Sequence, residues 1–114
     1  MPSLVTPYQV NAKAVSANGQ TDPIATGSIE TLEIDINVTA ISAGATISFT
    51  YSRLDSYGNA YPVWTGGVSA IGTIVDDIGT GMNVPKSPGS QGVLSWVLSG
   101  TTPTATFSAM LQGR

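Results

Sequence analysis

Residues 32–53 read LEIDINVTAISAGATISFTYSR. Leu32, Ile34, Ile36, Val38 and Ala40 alternate with Glu33, Asp35, Asn37 and Thr39. After Ser42-Ala43-Gly44, Ile47, Phe49 and Tyr51 alternate with Thr46, Ser48, Thr50 and Ser52. Successive side chains of a strand point to opposite faces, so each half is a β-strand with one buried and one solvated face. Two such strands across a short Gly-containing turn predict a β-hairpin. An antiparallel β-sandwich centred on this hairpin is the expected fold.

Working outward towards the N-terminus, residues 21–28 hold Asp22-Pro23 and Gly27 and read as a loop, and residues 17–20 (Ala-Asn-Gly-Gln) as a turn. Residues 8–16 alternate weakly and suggest a first strand at a sheet edge. Residues 1–7 contain two prolines and read as an arm. Towards the C-terminus, Asp55-Ser56-Tyr57-Gly58-Asn59 is a tight turn, because Asp and Asn bond their own backbone and Gly accepts positive φ. Residues 60–65 form a short strand in which Pro62 argues for an edge or a bulge. Gly66-Gly67 reads as a turn, and residues 68–75 as a strand interrupted at Gly72. Residues 76–92 carry Gly79, Gly81, Pro85, Pro88, Gly89 and Gly92 and read as one long loop, a length that is usually functional. Residues 93–98 and 104–111 are strands joined by a turn at Gly100-Thr101-Thr102-Pro103. The total is about seven strands, at the spacing of a sandwich. The chain is therefore all-β, with an N-terminal arm (1–7) and a single antiparallel β-sandwich domain (8–114), either immunoglobulin-like or jelly-roll in strand order.

With 114 residues the chain can bury a real core, and with no Cys it does so without disulfides. Only 10% of residues are charged, against roughly 25% in an average soluble domain. Thirteen Ser and fourteen Thr take their place, which predicts hydroxyl-rich strand faces. Net charge is −3, and Lys13, Arg53, Lys86 and Arg114 are the only cations. Four scattered cations neither neutralise a phosphate backbone nor make a polybasic membrane patch, so neither nucleic acid nor membrane is an expected partner. The first ten residues, MPSLVTPYQV, lack the charged and apolar regions of a signal peptide, and no apolar run approaches a membrane span. A soluble protein made in a cytoplasm is expected.

Histidine is absent, which removes the commonest general base and the Ser–His and His-ligated metal chemistries. Glu33 and Asp35 share a strand face and could form a carboxylate pair. No apolar neighbour is expected on that face to raise a carboxyl pKa, so a solvated face is the better reading. Asp76 and Asp77 with Asp55 and Asn59 could offer oxygen ligands to Ca²⁺, but the spacing matches no EF-hand or repeat loop and solvated turn residues explain them. Asn37-Val38-Thr39 fits the glycosylation pattern only as a weak three-residue match. No catalytic, cofactor or metal residue is assigned, and the chain is not read as an enzyme. Trp96, between Leu94 and Leu98 on one strand face, belongs to the core. Tyr57 at a turn tip is expected to be exposed, together with one of Tyr61 and Trp64.

Residues 29–114 resemble small β-sandwich virion structural proteins of tailed bacteriophages. The resemblance rests on LEIDINVTAISAG leading to ATISFTYSRLDSYGN, and on the closing LSWVLSGTTPTATFSAMLQGR with its Ser-Gly-Thr-Thr-Pro turn and terminal Gly113-Arg114. Residues 77–92 depart from that pattern. The resemblance implies a virion structural protein, made in the host cytoplasm and located in the virion. Its role would be capsid decoration that stabilises the assembled head, or that of a minor tail component. Its partners would be the major capsid protein or tail proteins, with homo-oligomerisation and no cofactor. The residues expected to meet a partner are Pro2, Leu4, Val5 and Pro7 in the arm, Tyr57, Tyr61 and Trp64 at an edge, and Met82, Val84 and Pro85 in the loop. The alternative is a tail-associated carbohydrate- or receptor-binding module using the aromatics.

Overall fold

Each alternating run becomes a strand in the computed structural model, which describes residues 8–25, 30–79 and 81–113. Among the described residues the strands are β1 (Tyr8–Val15), β2 (Gly19–Gln20), β3 (Ile24–Ala25), β4 (Thr31–Ile41), β5 (Thr46–Leu54), β6 (Ala60–Val68), β7 (Gly72–Gly79), β8 (Gln91–Ser99) and β9 (Ala105–Gly113). No described residue is helical, so none belongs to a helix long and apolar enough to cross a membrane. One sheet has the order β1-β9-β4-β7. The other has the order β2-β8-β5-β6, with β3 also on β8. All of these pairings are antiparallel.

The expected hairpin at residues 32–53 is not formed. β4 lies in the first sheet and β5 in the second, so Ser42 to Ala45 carry the chain across the sandwich as an arch. The alternation in each strand is real, but it specifies only that one face is buried. An apolar face is satisfied by a strand stacked opposite as well as by one beside it, and the latter pairing is set elsewhere. The turn between β8 and β9 is a second arch of the same kind. The two arches lie together. Ser42 N–H donates to Thr104 O at 2.9 Å, Thr104 N–H donates to Ser42 Oγ at 3.0 Å, and the Thr46 and Ser99 hydroxyls bond each other.

Among the described strands, only β5–β6 and the break between β2 and β3 join consecutive strands of one sheet. The pieces β2 and β3 pair with successive parts of β8, with Gly19 opposite Trp96 and Ile24 opposite Gly92, so they form one interrupted strand. Thr21 bridges the interruption: its N–H donates to Leu94 O at 2.9 Å and its Oγ1 accepts from Leu94 N at 3.1 Å. Eight strands in two sheets, with nearly every link crossing between them, form a jelly roll. The immunoglobulin order keeps several consecutive strands in one sheet, and it is not observed.

The core lies between the sheets. Leu32, Ile34, Ile36 and Val38 of β4 face Ile47, Phe49 and Tyr51 of β5, with Leu94, Phe107 and Leu111 among them. Phe107 meets Phe49 edge-on at 4.9 Å and Trp96 at 5.2 Å, which places Trp96 against the core as expected.

Other boundaries move for steric reasons. Gly66 and Gly67 lie within β6 rather than in a turn. A side chain at Gly66 would fall 2.8 Å from the Trp64 ring, and one at Gly67 would fall 2.9 Å from Ile47 O. These glycines therefore mark close approach rather than chain reversal. The strand expected at 68–75 is instead the end of β6, a turn, and the start of β7. β7 continues through Asp76 and Asp77, so the long loop begins only after Gly79. The region 17–28, read as turn and loop, contains β2 and β3. β1 does lie at a sheet edge, and Pro62 sits in an edge strand beside a bulge between Tyr51 and Ser52.

Candidate functional site

The strand registers fix two ends of the sandwich. Val38 opposite Gly72 and Phe107, and Ile47 opposite Val68 and Leu98, place the arches and the β6–β7 turn at one end. The other end holds residues 55–59 and the β7–β8 loop, and Tyr8 opposite Leu111 begins β1 there.

At that loop end, the Asp55 carboxylate organises its turn. Oδ1 accepts from Tyr57 N and Asn59 N, each at 2.9 Å. Oδ2 accepts from Asn59 Nδ2 at 3.1 Å and from Tyr61 Oη at 3.0 Å. The Asn59 N–H foremost holds the Asp55 carboxyl below its ordinary value, and the other donors outweigh the opposing effect of burial. The same contact, with the negative charge behind it, raises the Tyr61 phenol.

Asp76 works similarly. Its Oδ2 accepts from Trp64 Nε1 at 2.8 Å and its Oδ1 from Asp77 N at 2.9 Å. Burial pushes its carboxyl up, but the indole, the Asp77 N–H and the Asn83 side chain more than offset this and hold it low. Asp77 Oδ1 accepts from Asn83 N at 3.3 Å. Asp55 and Asp77 are therefore occupied by donors of their own turns, Asp76 by the Trp64 indole and the Asp77 N–H, and Asn59 is itself a donor to Asp55; no described group of three acids forms a candidate metal cluster.

The expected partner-facing residues separate. Tyr57 is 89% exposed and Tyr61 48%, whereas Trp64 is only 5% exposed. Trp64 is thus corrected from surface to core. The bulge in the β5–β6 ladder leaves Val63 and Trp64 both turned inward, where the indole N–H finds Asp76. Met82 and Pro85 are exposed, but Val84 is half-buried against the core and bridges to Ile78. Pro2, Leu4, Val5 and Pro7 lie outside the described residues. Tyr51 Oη reaches over Gly92 and donates to Pro88 O at 3.1 Å, tying the long loop to β5.

One surface was not anticipated. The outer face of the first sheet holds a groove of about 340 Å³ lined by Gln9, Asn11, Asp35, Asn37, Thr73, Val75, Ser108 and Met110 with adjacent backbone. The registers build it: Gln9, Met110, Asp35 and Val75 form one row across four strands, and Asn11, Ser108, Asn37 and Thr73 form the next. None of the polar side chains in these rows has a hydrogen-bond partner among the described residues. The expectation that no apolar residue accompanies Glu33 and Asp35 is therefore corrected, since Val75 and Met110 flank Asp35. Period-two polarity in β1, β4, β7 and β9 was the available signal, but only the strand order brings the rows together. The outer face of the second sheet is hydroxyl-rich as expected, with Thr46, Ser48, Thr50, Thr65, Ser95 and Ser99 around Val97.

No protein-family model and no curated protein matches the sequence. Among solved structures, a chain of the Broad Bean Stain Virus structure is similar, with a TM-score of 0.50 and 11% identity over 75% of this chain and 55% of that one. The protein thus spans about half the length of the viral chain. A chain of the infectious bursal disease virus VP2 subviral particle matches with a TM-score of 0.48 and 14% identity, over 93% of this chain and 32% of that one. The SPBc2 prophage-derived protein YomS matches with a TM-score of 0.47 and 10% identity, over 96% of this chain and 98% of that one. At 11% identity the likeness to the Broad Bean Stain Virus chain is one of fold alone.

Proposed function

We propose that this protein is a virion structural protein of a tailed bacteriophage, acting as a head decoration protein that binds and stabilises the assembled capsid without catalysis. The observation that carries this reading is the jelly-roll order β1-β9-β4-β7 over β2-β8-β5-β6, an architecture common in viral capsid domains and similar in fold to the Broad Bean Stain Virus chain. The sequence supports it through sparse charge and hydroxyl-rich faces. The Asp55 carboxylate at the loop end is engaged in holding its turn, and that of Asp76 in accepting from the Trp64 indole and the Asp77 N–H. The surface assigned to the particle is the loop end. Tyr57, Tyr61, Met82 and Pro85 are exposed in its loops and in β6, and Tyr8, which follows Pro2, Leu4, Val5 and Pro7 in sequence, lies at this end. A ligand that binds only the assembled particle stabilises it by mass action. With four cations in the chain, binding should depend little on salt. The test is co-sedimentation with heads assembled without this protein, read with the melting temperature of the heads. Binding with a raised melting temperature is expected. A protein that stays in the supernatant and leaves the melting unchanged removes this reading.

A second reading, recognition of a carbohydrate or receptor from the tail, is favoured by the outer groove. Its volume lies within the range of small-molecule sites, roughly 300–1,000 Å³, and its unbonded carboxamides and hydroxyls suit a neutral polyol. This moves the expected site away from Trp64. A glycan array with Asn37→Ala as control tests it, and silence with the wild-type protein counts against it.

A further inference from the structure

The jelly roll has four edge strands, and they differ in how their open backbone groups are protected. β2 and β3 are two residues each. β1 carries a bulge between Ala12 and Val15, Ala14 has a φ of 51°, and its N–H turns to Thr106 Oγ1. β6 holds Pro62 and the bulge at Val63. Bulges, prolines and short length are the usual means of preventing edge-to-edge pairing.

β7 has none of these in its first half. Its second half is covered by the loop: Val84 N–H donates to Asp77 O at 3.1 Å and Val84 O accepts from Gly79 N at 2.9 Å. The Asp77 N–H goes to the Asp76 carboxylate. These contacts show that the odd-numbered residues of β7 turn their backbone groups outward. Antiparallel strands alternate in this respect, and the β4–β7 register runs without a shift. The N–H and C=O of Thr73 and Val75 therefore face outward, and among the described residues they have no partner on that side. Two of the most exposed aliphatic side chains among the described residues lie along this stretch, Ile71 at 67% and Val75 at 71%.

We propose that β7 is a self-association edge, where a second copy of this chain pairs β7 with β7 antiparallel about a two-fold axis through Ile74. The register follows from the open groups. Only this centre places Thr73 opposite the partner's Val75, so that each open N–H of both copies meets an open C=O. Centring on Val75 would set Thr73 against the partner's Asp77, whose backbone groups are already taken by Val84 and Asp76. Centring on Asp76 would set that carboxylate against its own copy, and like charges directly opposite destabilise a ladder. With Ile74 on the axis, Asp76 lies opposite the partner's Gly72, and the paired stretch ends there, because the outward side of Asp77 is already held by Val84. The two four-stranded sheets fuse into one of eight strands, and their outer grooves continue into each other through Thr73 and Val75. The pairing is isologous, so it closes at two copies.

This interface stands on edge geometry and is separable from the virion reading. A dimer that ignores particles leaves this proposal and removes that one, and a monomer that binds particles does the reverse. The test is sedimentation equilibrium over a dilution series, with a weight-average mass rising from 11.7 kDa towards twice that value. Val75→Pro removes an outward N–H without touching the β4 ladder, and it should hold the mass at that of the monomer. In a chain without Cys, Ile74→Cys on the axis should oxidise to a disulfide-linked dimer much faster than Val97→Cys on the opposite sheet, because a non-hydrogen-bonded pair brings its Cα atoms to about 4.5 Å. A wild-type mass that never leaves the monomer value overturns the proposal. So does a Val75→Pro variant that still dimerises, or equal oxidation at the two sites. Should Val75→Pro fail to fold, the Ile74→Cys oxidation decides alone.

Discussion

At the arch end of the sandwich, bonds join residues far apart in the chain. Thr104 to Ser42 spans 62 residues, Thr46 to Ser99 spans 53, and Leu98 to the Asn18 side chain spans 80. At the loop end the side-chain bonds are mostly local. Asp55 reaches residues two, four and six positions away, and Asp77 reaches Asn83 six positions on. The arch end uses neutral hydroxyls, amides and backbone groups that bond only once strands distant in the chain have paired, β4 with β9 in the first sheet and β5 and β2 with β8 in the second. The loop end uses carboxylates that can order a turn before the rest of the chain has folded. Global stability is thus coupled to the arches, while the loop end can be altered turn by turn.

The exceptions at the loop end are the Tyr51 tether and the Trp64–Asp76 bond, and removing the tether should have the largest effect. In Gly92→Ala the new Cβ would lie 2.1 Å from Tyr51 Oη, which displaces the phenol from Pro88. A loss of about 1–3 kcal/mol in chemical denaturation is expected, together with faster proteolysis of the β7–β8 loop. Asp76→Ala should follow closely. It leaves the buried Trp64 Nε1 without its acceptor, a loss of roughly 1–3 kcal/mol, and a red shift of Trp64 emission reports it. Ser42→Ala tests the arch end directly. It removes one acceptor, worth about 1 kcal/mol, but the loss should appear as a lower melting temperature and faster hydrogen exchange across both sheets. Exchange confined to residues 42–45 would contradict the comparison.

The smallest effect concerns protons. Asp55 and Asp76 are held below their ordinary value. Their contributions are complete above the carboxylate range and are lost as pH falls through the lowered native values, so acid destabilisation should set in only below about pH 4. Tyr61 is raised, and its contribution holds below the ordinary phenol value near 10 and is lost as pH rises through the higher native one. Asp55→Asn should abolish this alkaline loosening of the turn, seen in amide exchange of Tyr57 and Asn59, and should barely change the melting temperature.

The same contrast explains how much could be read from the sequence. The Asp55 turn was legible because all its bonding groups lie within a few residues. The buried row of β4 and β5 was legible because alternation is local. The false hairpin at 42–45 and the hidden strand at Gly66-Gly67 were not. Whether a Ser-Ala-Gly turn closes beside itself or arches over a core depends on Thr104, 62 residues away. Whether two glycines turn the chain or make room depends on the Trp64 ring and the Ile47 carbonyl. The outer groove shows the same limit. Gln9, Asn11, Asp35, Asn37, Thr73 and Ser108 are individually ordinary solvated residues, and only the order β1-β9-β4-β7 makes them one surface.

β9 lies between β1 and β4, with Tyr8 opposite Leu111 and Ile34 opposite Leu111 on its other side. The strand made last among these nine is therefore the one that joins the first to the fourth. During synthesis, the apolar face of β4 stays without its neighbour until Leu111 has cleared the ribosome. A nascent chain stalled before Ala105 holds its partner strands in order of appearance but not in order of assembly. The first sheet is thereby completed only after β9 has been made, and chains stalled or truncated before Ala105 should be targets for chaperones and proteases in a way that chains carrying β9 are not.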